Sequence, residues 1–443
     1  MKRLAAVVAV ALMSTGVAWG QQASVDALYI NTAKGMDVTE YTGLCHKLKG
    51  RIVDHTSNHG KDNRIWSRAM YQWRDLYIYL PPQYDPNKRY PIMLLLHPYS
   101  TDERGLLHLL PMIDDAIVQG RMPPLIVALP DGSLDGKGCF DKPGSFFLNS
   151  RSGDYEDFIL QDVWDFVCTR YPIRPERGAH VLAGVSMGGY AAFNIGLRYR
   201  QFFGVVMGIH PPLNPRWADV DGNPRAKFDP RRWGWRTGFD NPHEVIANFG
   251  GPFKYRMGDV IRPVFGIGEE AFVNISCNNP LELVINTKLR NGELAMFVGY
   301  AGRDEFNIDA QVESFLYYCK FKGLGVAVAF EPDGRHDKHT ASKMMPAALD
   351  WLGNQIAPYG IAYTGKPPFQ TRYPDTGTPE PYDVRYPAPG DMKPKAPRPV
   401  TTPSQYPMPN PAPPPPPPVD VRYPLPGVDR VPAGPLRYPG VGY

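Results

Sequence analysis

Short apolar runs alternate with longer amphipathic runs between residues 70 and 360, and this alternation constrains the fold more than any other feature of the chain. The apolar runs predict strands at 76–80, 92–96, 125–129, 180–183, 205–209, 295–298 and 326–330. Apolar residues three and four apart predict helices at 154–171, 188–200, 308–322 and 341–356. Strands that alternate with helices join by right-handed crossovers, so we predict an α/β fold with a mostly parallel, twisted sheet and helices on both faces.

One segment, at about 211–290, interrupts this alternation and is predicted to be an irregular insertion above the sheet. It interleaves tryptophans with arginines, at Trp217, Trp233 and Trp235 and at Arg216, Arg231, Arg232 and Arg236. Two interpretations of the tryptophans stay open. They line a cleft for aromatic or sugar groups, or they fix the insertion to the core.

The first 20 residues have the pattern of a secretory signal peptide. Lys2 and Arg3 precede an apolar run over 4–17, and the small residues Ala18 and Gly20 follow it. This run is shorter than the roughly 20 apolar residues that a spanning helix needs. We therefore expect cleavage after Gly20 and a secreted or periplasmic protein with no membrane span.

Composition divides the rest of the chain. Residues 21–69 are predicted to be an N-terminal extension that packs on the core, and 70–362 to be the catalytic domain. About half of the 49 prolines lie in 363–443, where the unit Arg-Tyr-Pro recurs. Because proline fixes φ and lacks an N–H, we predict a disordered tail there. It is either a low-complexity linker or a tether that contacts the cell envelope.

Net charge and cysteine content limit which kinds of partner the sequence leads us to expect. A net charge of +4 is nearly neutral for 443 residues and gives no reason to expect nucleic acid binding. The five cysteines form no Cys-x-x-Cys pair and match no zinc spacing, so no metal is predicted. Asp219 opens a calcium-like run that lacks the glutamate at its twelfth position, which favours a simple turn. We expect no cofactor.

A pentapeptide of the form Gly-x-Ser-x-Gly carries the strongest functional signal. Gly184 and Gly188 flank Ser186 between the strand at 180–183 and the helix at 188–200. A serine on a sharp strand-to-helix turn projects its hydroxyl from the edge of the sheet, and glycine on either side avoids crowding by Cβ atoms. We predict that Ser186 is a nucleophile and that these glycines form its elbow.

A nucleophilic serine needs a base and an acid, which this arrangement places later in the chain, the acid first. Asp304 follows the strand at 295–298 and is the predicted acid, with Glu305 as the alternative. His336 follows the last predicted strand and is the predicted base, with His339 in reserve. His210, at another strand end, is interpreted as a structural residue.

The negative charge that develops in acyl transfer needs backbone donors. The Met187 N–H, at the start of a helix, is the first predicted donor. The second comes from the loop after the strand at 92–96, where Tyr99 or Ser100 has an N–H to give and Pro98 has none.

Residues 50–355 resemble the esterase D-like family of putative esterases, which includes feruloyl, acetylxylan and enterochelin-type esterases and mycolyltransferases. The matching stretches are 77–85, the strand that enters His97, 146–150, 184–190, 302–304 and 334–336. One departure is Pro98, where the family usually has glycine after the histidine. The resemblance implies an α/β-hydrolase that acts on carboxylic esters, with Ser186, Asp304 and His336 as its triad.

These observations lead to one hypothesis and two alternatives. The hypothesis is a serine esterase that forms an acyl-enzyme on a small-molecule or polysaccharide ester. The alternatives are an impaired hydrolase-fold module that binds glycans or cell-envelope polymer, and an acyltransferase that passes the acyl group to a sugar hydroxyl.

Overall fold

The computed structural model describes residues 38–134, 136, 144–250 and 253–363. The segments predicted to be a signal peptide and a Pro-rich tail lie outside these residues, as does Cys139. The strands are, in chain order, β1 (Arg51–His55), β2 (Ile65–Ser67), β3 (Gln72–Arg74), β4 (Leu76–Leu80), β5 (Lys88–Arg89), β6 (Ile92–Leu96), β7 (Ile126–Pro130), β8 (Asn149–Ser150), β9 (Gly153–Asp154), β10 (His180–Val185), β11 (Val205–Ile209), β12 (Trp217–Asp219), β13 (Trp233–Trp235), β14 (Val245–Asn248), β15 (Lys254–Arg256), β16 (Ala295–Ala301), β17 (Ala327–Glu331) and β18 (Ala362–Tyr363).

Helices follow most of the long strands. They are α1 (Val38–Lys47), α2 (Leu110–Val118), α3 (Tyr155–Asp157), α4 (Trp164–Arg170), α5 (Met187–Arg198), α6 (Met257–Val260), α7 (Arg262–Phe265), α8 (Glu269–Asn278), α9 (Pro280–Asn286), α10 (Ile308–Phe321) and α11 (Lys338–Ile356). A π-helical segment over Phe158–Val163 joins α3 to α4, so the helix predicted over 154–171 is continuous.

In the described part of the chain, eight strands form the central sheet in the order β1-β4-β7-β6-β10-β11-β16-β17. Strands β7, β6, β10, β11, β16 and β17 pair in parallel, whereas β4 pairs antiparallel with both β1 and β7. The prediction of a mostly parallel sheet is confirmed. Since parallel strands end at the same edge, the loops after β6, β10, β11, β16 and β17 lie together at the carboxyl edge.

The sheet is buried on both faces. Along β6, Leu94 packs with one apolar cluster and its neighbour Leu95 packs with the other. The first cluster includes side chains of α4, α5 and α10, and the second includes those of α1, α2 and α11. Successive side chains of a strand point to opposite faces, so an uninterrupted apolar run suits a strand that is covered twice.

Two predicted boundaries of secondary structure, the end of β16 and the start of α11, were wrong. The strand predicted over 295–298 extends to Ala301, because its partner β17 continues pairing to Glu331. The helix predicted from residue 341 begins at Lys338, since the Asp337 carboxylate accepts a hydrogen bond from the N–H of Thr340 and caps the first turn.

Two regions are more regular than their composition indicates. Residues 51–55, within the predicted N-terminal extension, pair with β4 as an edge strand of the sheet. The insertion at 211–290 contains two hairpins, β12–β13 and β14–β15, followed by α6 to α9. Within the described part of the chain, no helix has both the length and the apolar character that a membrane crossing requires.

Candidate active site

Ser186 lies on a strained turn between β10 and α5. Its φ is +52°, a left-handed value that is uncommon for a non-glycine residue, and its N–H donates to the carbonyl of Ile209 at 2.8 Å. A Cβ atom at Gly184 would lie 2.3 Å from the backbone of Gly188, and one at Gly188 would lie 2.0 Å from the carbonyl oxygen of Leu96. Both glycines are therefore required by the close approach of α5 to the sheet.

Three polar side chains meet at this edge of the sheet in the order that the sequence predicts. The Nε2 atom of His336 lies 3.0 Å from the Oγ of Ser186. On the other side of the ring, Nδ1 lies 2.7 Å from Oδ2 of Asp304. The second oxygen of Asp304 accepts from the backbone N–H groups of Phe306, at 2.9 Å, and Ile308, at 3.4 Å. The imidazole thus bridges a hydroxyl and a fixed carboxylate.

Backbone contacts join the two loops that carry Asp304 and His336. The loop after β16 carries Asp304 and is called the acid loop, and the loop after β17 carries His336 and is called the histidine loop. Gly302 N–H donates to the carbonyl of Glu331 at 2.9 Å, and Arg303 N–H donates to that of Gly334 at 3.0 Å. A Cβ atom at Gly302 would lie 2.3 Å from the carbonyl oxygen of Pro332. The two loops behave as an extension of the β16–β17 pairing, which fixes the spacing between Asp304 and His336.

Burial and charge set the protonation states of this pair. Burial by itself lowers the pKa of His336, but the adjacent Asp304 carboxylate outweighs it and the pKa is raised. Burial by itself raises the pKa of Asp304, but the charge and hydrogen bond of His336 outweigh it and the pKa is lowered. Asp304 is therefore an anion at neutral pH, and the pKa of His336 lies above the ordinary value of an imidazole.

The alternative acid and base occupy other positions. Glu305 accepts a hydrogen bond from the backbone N–H of His336 at 3.0 Å and pairs with Arg335. His339 is exposed on α11, whereas His336 is buried. Glu305 therefore supports the histidine loop from outside, and His339 is not part of the cluster.

The loop after β6 is held by a buried histidine. His97 Nε2 accepts from the N–H of Gly132 at 2.8 Å, so Nδ1 carries the proton and donates to the carbonyl of Pro98 at 2.9 Å. The hydroxyl of Thr101 donates to the same carbonyl at 2.9 Å. In a trans peptide the carbonyl and the next N–H point in opposite directions, so the N–H of Tyr99 faces away from His97 and Thr101.

Ser100 and Met187 complete the predicted set of donors. Ser100 has a left-handed φ of +63°, and its hydroxyl lies 3.3 Å from the hydroxyl of Tyr255 in the insertion. The N–H of Met187 is the first of α5, and the first N–H groups of a helix have no partner within the helix. The close contact of Gly188 with the end of β6 brings this helix terminus beside the Tyr99 loop.

A cavity of about 140 Å³ opens beside Ser186. Its walls are mainly apolar and come from the sheet edge and the insertion, and their aromatic members are Tyr99, Phe146, Tyr190, Trp217, Phe239, Phe265 and Phe306. Polar groups stand among them, including Arg225, Arg236, Glu244, Asn307 and Gln311. A cavity with apolar walls and a few polar groups suits a small organic ligand that reaches the serine.

The three tryptophans of the insertion have different positions. Trp217 is buried and lines the cavity, and its indole N–H donates to the carbonyl of Ala226 at 2.9 Å. Trp233 is buried against Phe228 and Trp217 and does not line the cavity, and Trp235 pairs with Trp217 across the hairpin β12–β13. Trp217 therefore lies at the wall of the cavity, and Trp233 packs against aromatic neighbours away from it.

Two clusters of possible metal ligands are present among the described residues, and each includes a charged or hydrogen-bonded contact between protein side chains. Asp75, Glu103 and Asp131 lie around Arg74, which contacts Asp131 at 2.7 Å, and the other cluster is His210, Asp304 and His336. The run that starts at Asp219 forms a turn, as predicted: the Asp219 carboxylate accepts from the N–H groups of Asp221 and Asn223.

Sequence reasoning missed two neighbours of His336. Phe306 packs edge-on against its ring, with centroids 4.9 Å apart. His210, interpreted from sequence as structural, places its ring 5.0 Å from that of His336. Its position directly after β11, at the same edge as Ser186, is a signal that the strand prediction already contained.

Part of the chain matches a known protein family. Residues 67–251 match the family model described as "Putative esterase". The match includes Ser186 and ends before Asp304 and His336. The resemblance to this esterase family is confirmed over these residues.

Curated proteins give similar but partial matches. An esterase of Mycobacterium tuberculosis is 28% identical over 219 residues, which are 45% of this chain and 46% of that protein. The acetyl esterase of Caldicellulosiruptor saccharolyticus is 24% identical over 221 residues, 47% of this chain and 68% of that protein. The chain thus spans about half the length of the Mycobacterium relative.

A solved structure confirms the architecture. A ferulic acid esterase superposes with a TM-score of 0.51 at 16% identity and covers 70% of this chain and 99% of its own. The chain has the α/β-hydrolase fold, as predicted. At this identity the likeness concerns the fold alone.

Proposed function

We propose that the chain is a serine esterase that hydrolyses carboxylic esters through an acyl-enzyme on Ser186. The observation that carries the proposal is the bridging position of His336, 3.0 Å from the Ser186 hydroxyl and 2.7 Å from the Asp304 carboxylate. A nucleophile, a base and an orienting acid in one line are the parts that this reaction needs.

The reaction proceeds in two steps. His336 Nε2 takes the proton of Ser186 as Oγ attacks the ester carbonyl, and the imidazolium then protonates the leaving alcohol. A water molecule attacks the acyl-enzyme, gives its proton to His336 and releases the acid, and Ser186 recovers its proton. Throughout, Asp304 remains an anion, keeps the Nδ1–H tautomer of His336 and stabilises the imidazolium.

Two backbone N–H groups bind the oxyanion in this account. Met187 supplies the first from the start of α5. For the second we favour Tyr99 over Ser100, because the carbonyl of Pro98 is held by His97 and Thr101 and leaves the Tyr99 N–H facing the other way. Proline at residue 98 is compatible with this role, since it is the carbonyl of that residue that positions the peptide.

The apolar cavity supports a compact acyl group as the part of the ester that enters beside Ser186. The polar groups at its wall then contact the remainder of the ligand. The chain is similar to a protein that is named acetyl esterase. We propose that it acts on the same broad class of substrate, esters of acyl groups, including acyl groups on polysaccharides.

We also infer export from the cell. The support is the basic, apolar and small-residue pattern of the first 20 residues. N-terminal sequencing of the protein recovered from periplasm or medium should begin at Gln21. Recovery of the intact N-terminus in the cytoplasm would contradict export.

A fluorophosphonate probe tests the nucleophile without knowledge of the natural ester. We expect a single adduct, on the peptide that contains Ser186, and loss of labelling in His336→Ala. The matched control is His339→Ala, which should label like the parent because that side chain is exposed on α11. Labelling at another residue, or unchanged labelling of His336→Ala, would overturn the proposal.

A further inference from the structure

His210 stands out among the described residues because its imidazole is buried and neither ring nitrogen makes a hydrogen bond. Its side chain is 0% exposed, and both ring nitrogens lack a hydrogen-bond partner within the described structure. An apolar side chain would fill such a space without leaving a polar group unpaired, so a histidine here is costly unless its polarity has a use.

The backbone at this residue is also unfavourable. His210 has a φ of +50°, and the residue after it is a proline, which restricts the backbone of the residue before it. The conformation is held by the N–H of His210, which donates to the carbonyl of Gly299 in β16 at 2.6 Å. Conformations of this kind persist where the surrounding structure enforces them, often near reactive groups.

The ring of His210 has a polar neighbour in the proposed acid. Its Nδ1 atom lies 3.8 Å from Oδ2 of Asp304, the same oxygen that receives Nδ1 of His336 at 2.7 Å. The other Asp304 oxygen already has two backbone donors. A carboxylate oxygen has two lone pairs, so Oδ2 has room for a second polar neighbour on the side where His210 lies.

We propose that His210 is a positioning residue of the ester-hydrolysing site, whose Nδ1–H dipole points at Oδ2 of Asp304 and limits how strongly that carboxylate stabilises the protonated form of His336. The inference rests on the proposed function. At 3.8 Å the contact is a charge–dipole interaction rather than a hydrogen bond, and it acts in a buried site where such interactions are strong.

The protonation state of His210 agrees with this role. Burial, and next the positive charge of His336, lower the pKa of His210 to about 3. The ring is therefore neutral at every pH at which an esterase would work, and it contributes a fixed dipole rather than a second charge. A neutral donor beside Asp304 partly offsets the negative charge of the carboxylate, so Asp304 stabilises the protonated form of His336 less. The pKa of His336 is therefore lower than it would be with an apolar residue at position 210.

The substitutions at His210 leave the other ionisable residues near His336 and Asp304 in place. Those that face His336 from its own loop and the acid loop are Asp304, Glu305 and Asp337, with Arg335 paired to Glu305. Asp309, paired with Lys227, faces Asp304 from α10. None of these is altered by a change at His210.

The test compares His210→Asn with His210→Leu. Asparagine and leucine have side chains of nearly the same shape, and only asparagine places an N–H where Nδ1 of the histidine stands. We expect the acid limb of the kcat/KM–pH profile to move upward by about 0.5 to 1 pH unit in His210→Leu and to stay within about 0.3 of the parent in His210→Asn. KM should not change, because His210 does not line the cavity.

The low-field proton resonance of His336 Nδ1–H provides a readout that needs no turnover. Its titration midpoint should move in His210→Leu and not in His210→Asn, and His210→Phe replaces the leucine variant if that one does not fold. Equal midpoints in all variants, or equal shifts in the asparagine and leucine variants, would overturn the role of His210. Absence of Ser186-dependent turnover in the parent would instead overturn the esterase proposal, while the resonance still decides on His210.

Discussion

At the scale of single residues, the proposed chemistry depends on which ring nitrogen of His336 carries the proton. Asp304 accepts from Nδ1, so Nε2 is free to take the proton of Ser186. In Asp304→Asn the amide can donate to Nδ1 and favour the opposite tautomer. We expect kcat/KM for a short p-nitrophenyl ester to fall about 10³- to 10⁴-fold, with KM little changed.

The matched control for that change is Glu305→Gln. The glutamine keeps an oxygen for the backbone N–H of His336, which Glu305 contacts at 3.0 Å. Its kcat/KM should stay within about tenfold of the parent, since only an outer support is altered. A larger loss in Glu305→Gln than in Asp304→Asn would exchange the roles of the two acids.

The pH dependence of the parent follows from the same contact. Only the neutral imidazole of His336 accepts a proton, so activity rises as pH rises through its pKa. Asp304 raises that pKa above the ordinary value of 6.5, so the midpoint of the acid limb should lie above pH 6.5. A kcat/KM–pH profile measures it, and an acid limb centred well below 6.5 would contradict the assignment of His336 as base.

At the scale of secondary structure, the contact of α5 with β6 sets the site. Ala in place of Gly188 puts a Cβ atom 2.0 Å from the carbonyl oxygen of Leu96, which only a shift of the helix relieves. We expect Gly188→Ala to lose about 1–3 kcal/mol of unfolding free energy in urea and most of its turnover. Gly43→Ala on α1 meets no atom within 4 Å and should be as stable as the parent or slightly more so. Equal stability of both variants would refute the close contact.

The cap of α11 gives a second prediction at this scale. Asp337 accepts from the N–H of Thr340 at 2.7 Å, and its loss in Asp337→Ala should cost about 0.5–2 kcal/mol of stability in urea unfolding. The control is Asp333→Ala, four residues earlier, whose side chain is 84% exposed and pairs with Arg303 at the surface. That change should stay within about 0.5 kcal/mol. If the two variants unfold alike, the cap contributes little.

The sequence predicted the elements that bury apolar residues with a clear period, and it failed where other contacts decide. The strands of the sheet centre were found because runs such as 92–96 are apolar on both faces. The start of α11 was set by Asp337 instead. The hairpins of the insertion were set by cross-strand pairing, such as that of Trp217 with Trp235 in β12–β13, which leaves no periodic pattern in the local sequence. Edge strand β1 was missed because its residues are only partly buried.

At the scale of the whole molecule, the order of strands brings distant residues together. Ser186, Asp304 and His336 were predicted from their places after strands, because parallel strands end at one edge. His210 stands at the same edge, but the sequence could not show that its ring turns toward Asp304, since that depends on a left-handed backbone at one residue.

The described part of the chain also predicts that residues up to 363 fold and act without residues 364–443. The site residues and the pairing of β18 with β5 all lie before residue 364. A chain that ends at residue 363 should keep the thermal transition and the Ser186-dependent turnover of the full chain. Loss of turnover with an unchanged transition would assign a catalytic role to residues 364–443.

The most direct test of the account is the hydrolysis of short p-nitrophenyl esters by the full chain beside its Ser186→Ala variant, at equal concentration and with matching thermal transitions. The account predicts turnover in the parent and a loss of at least about 10³-fold in the variant, because the acyl-enzyme cannot form without the hydroxyl. Turnover that survives in Ser186→Ala, or none in a folded parent, would contradict it.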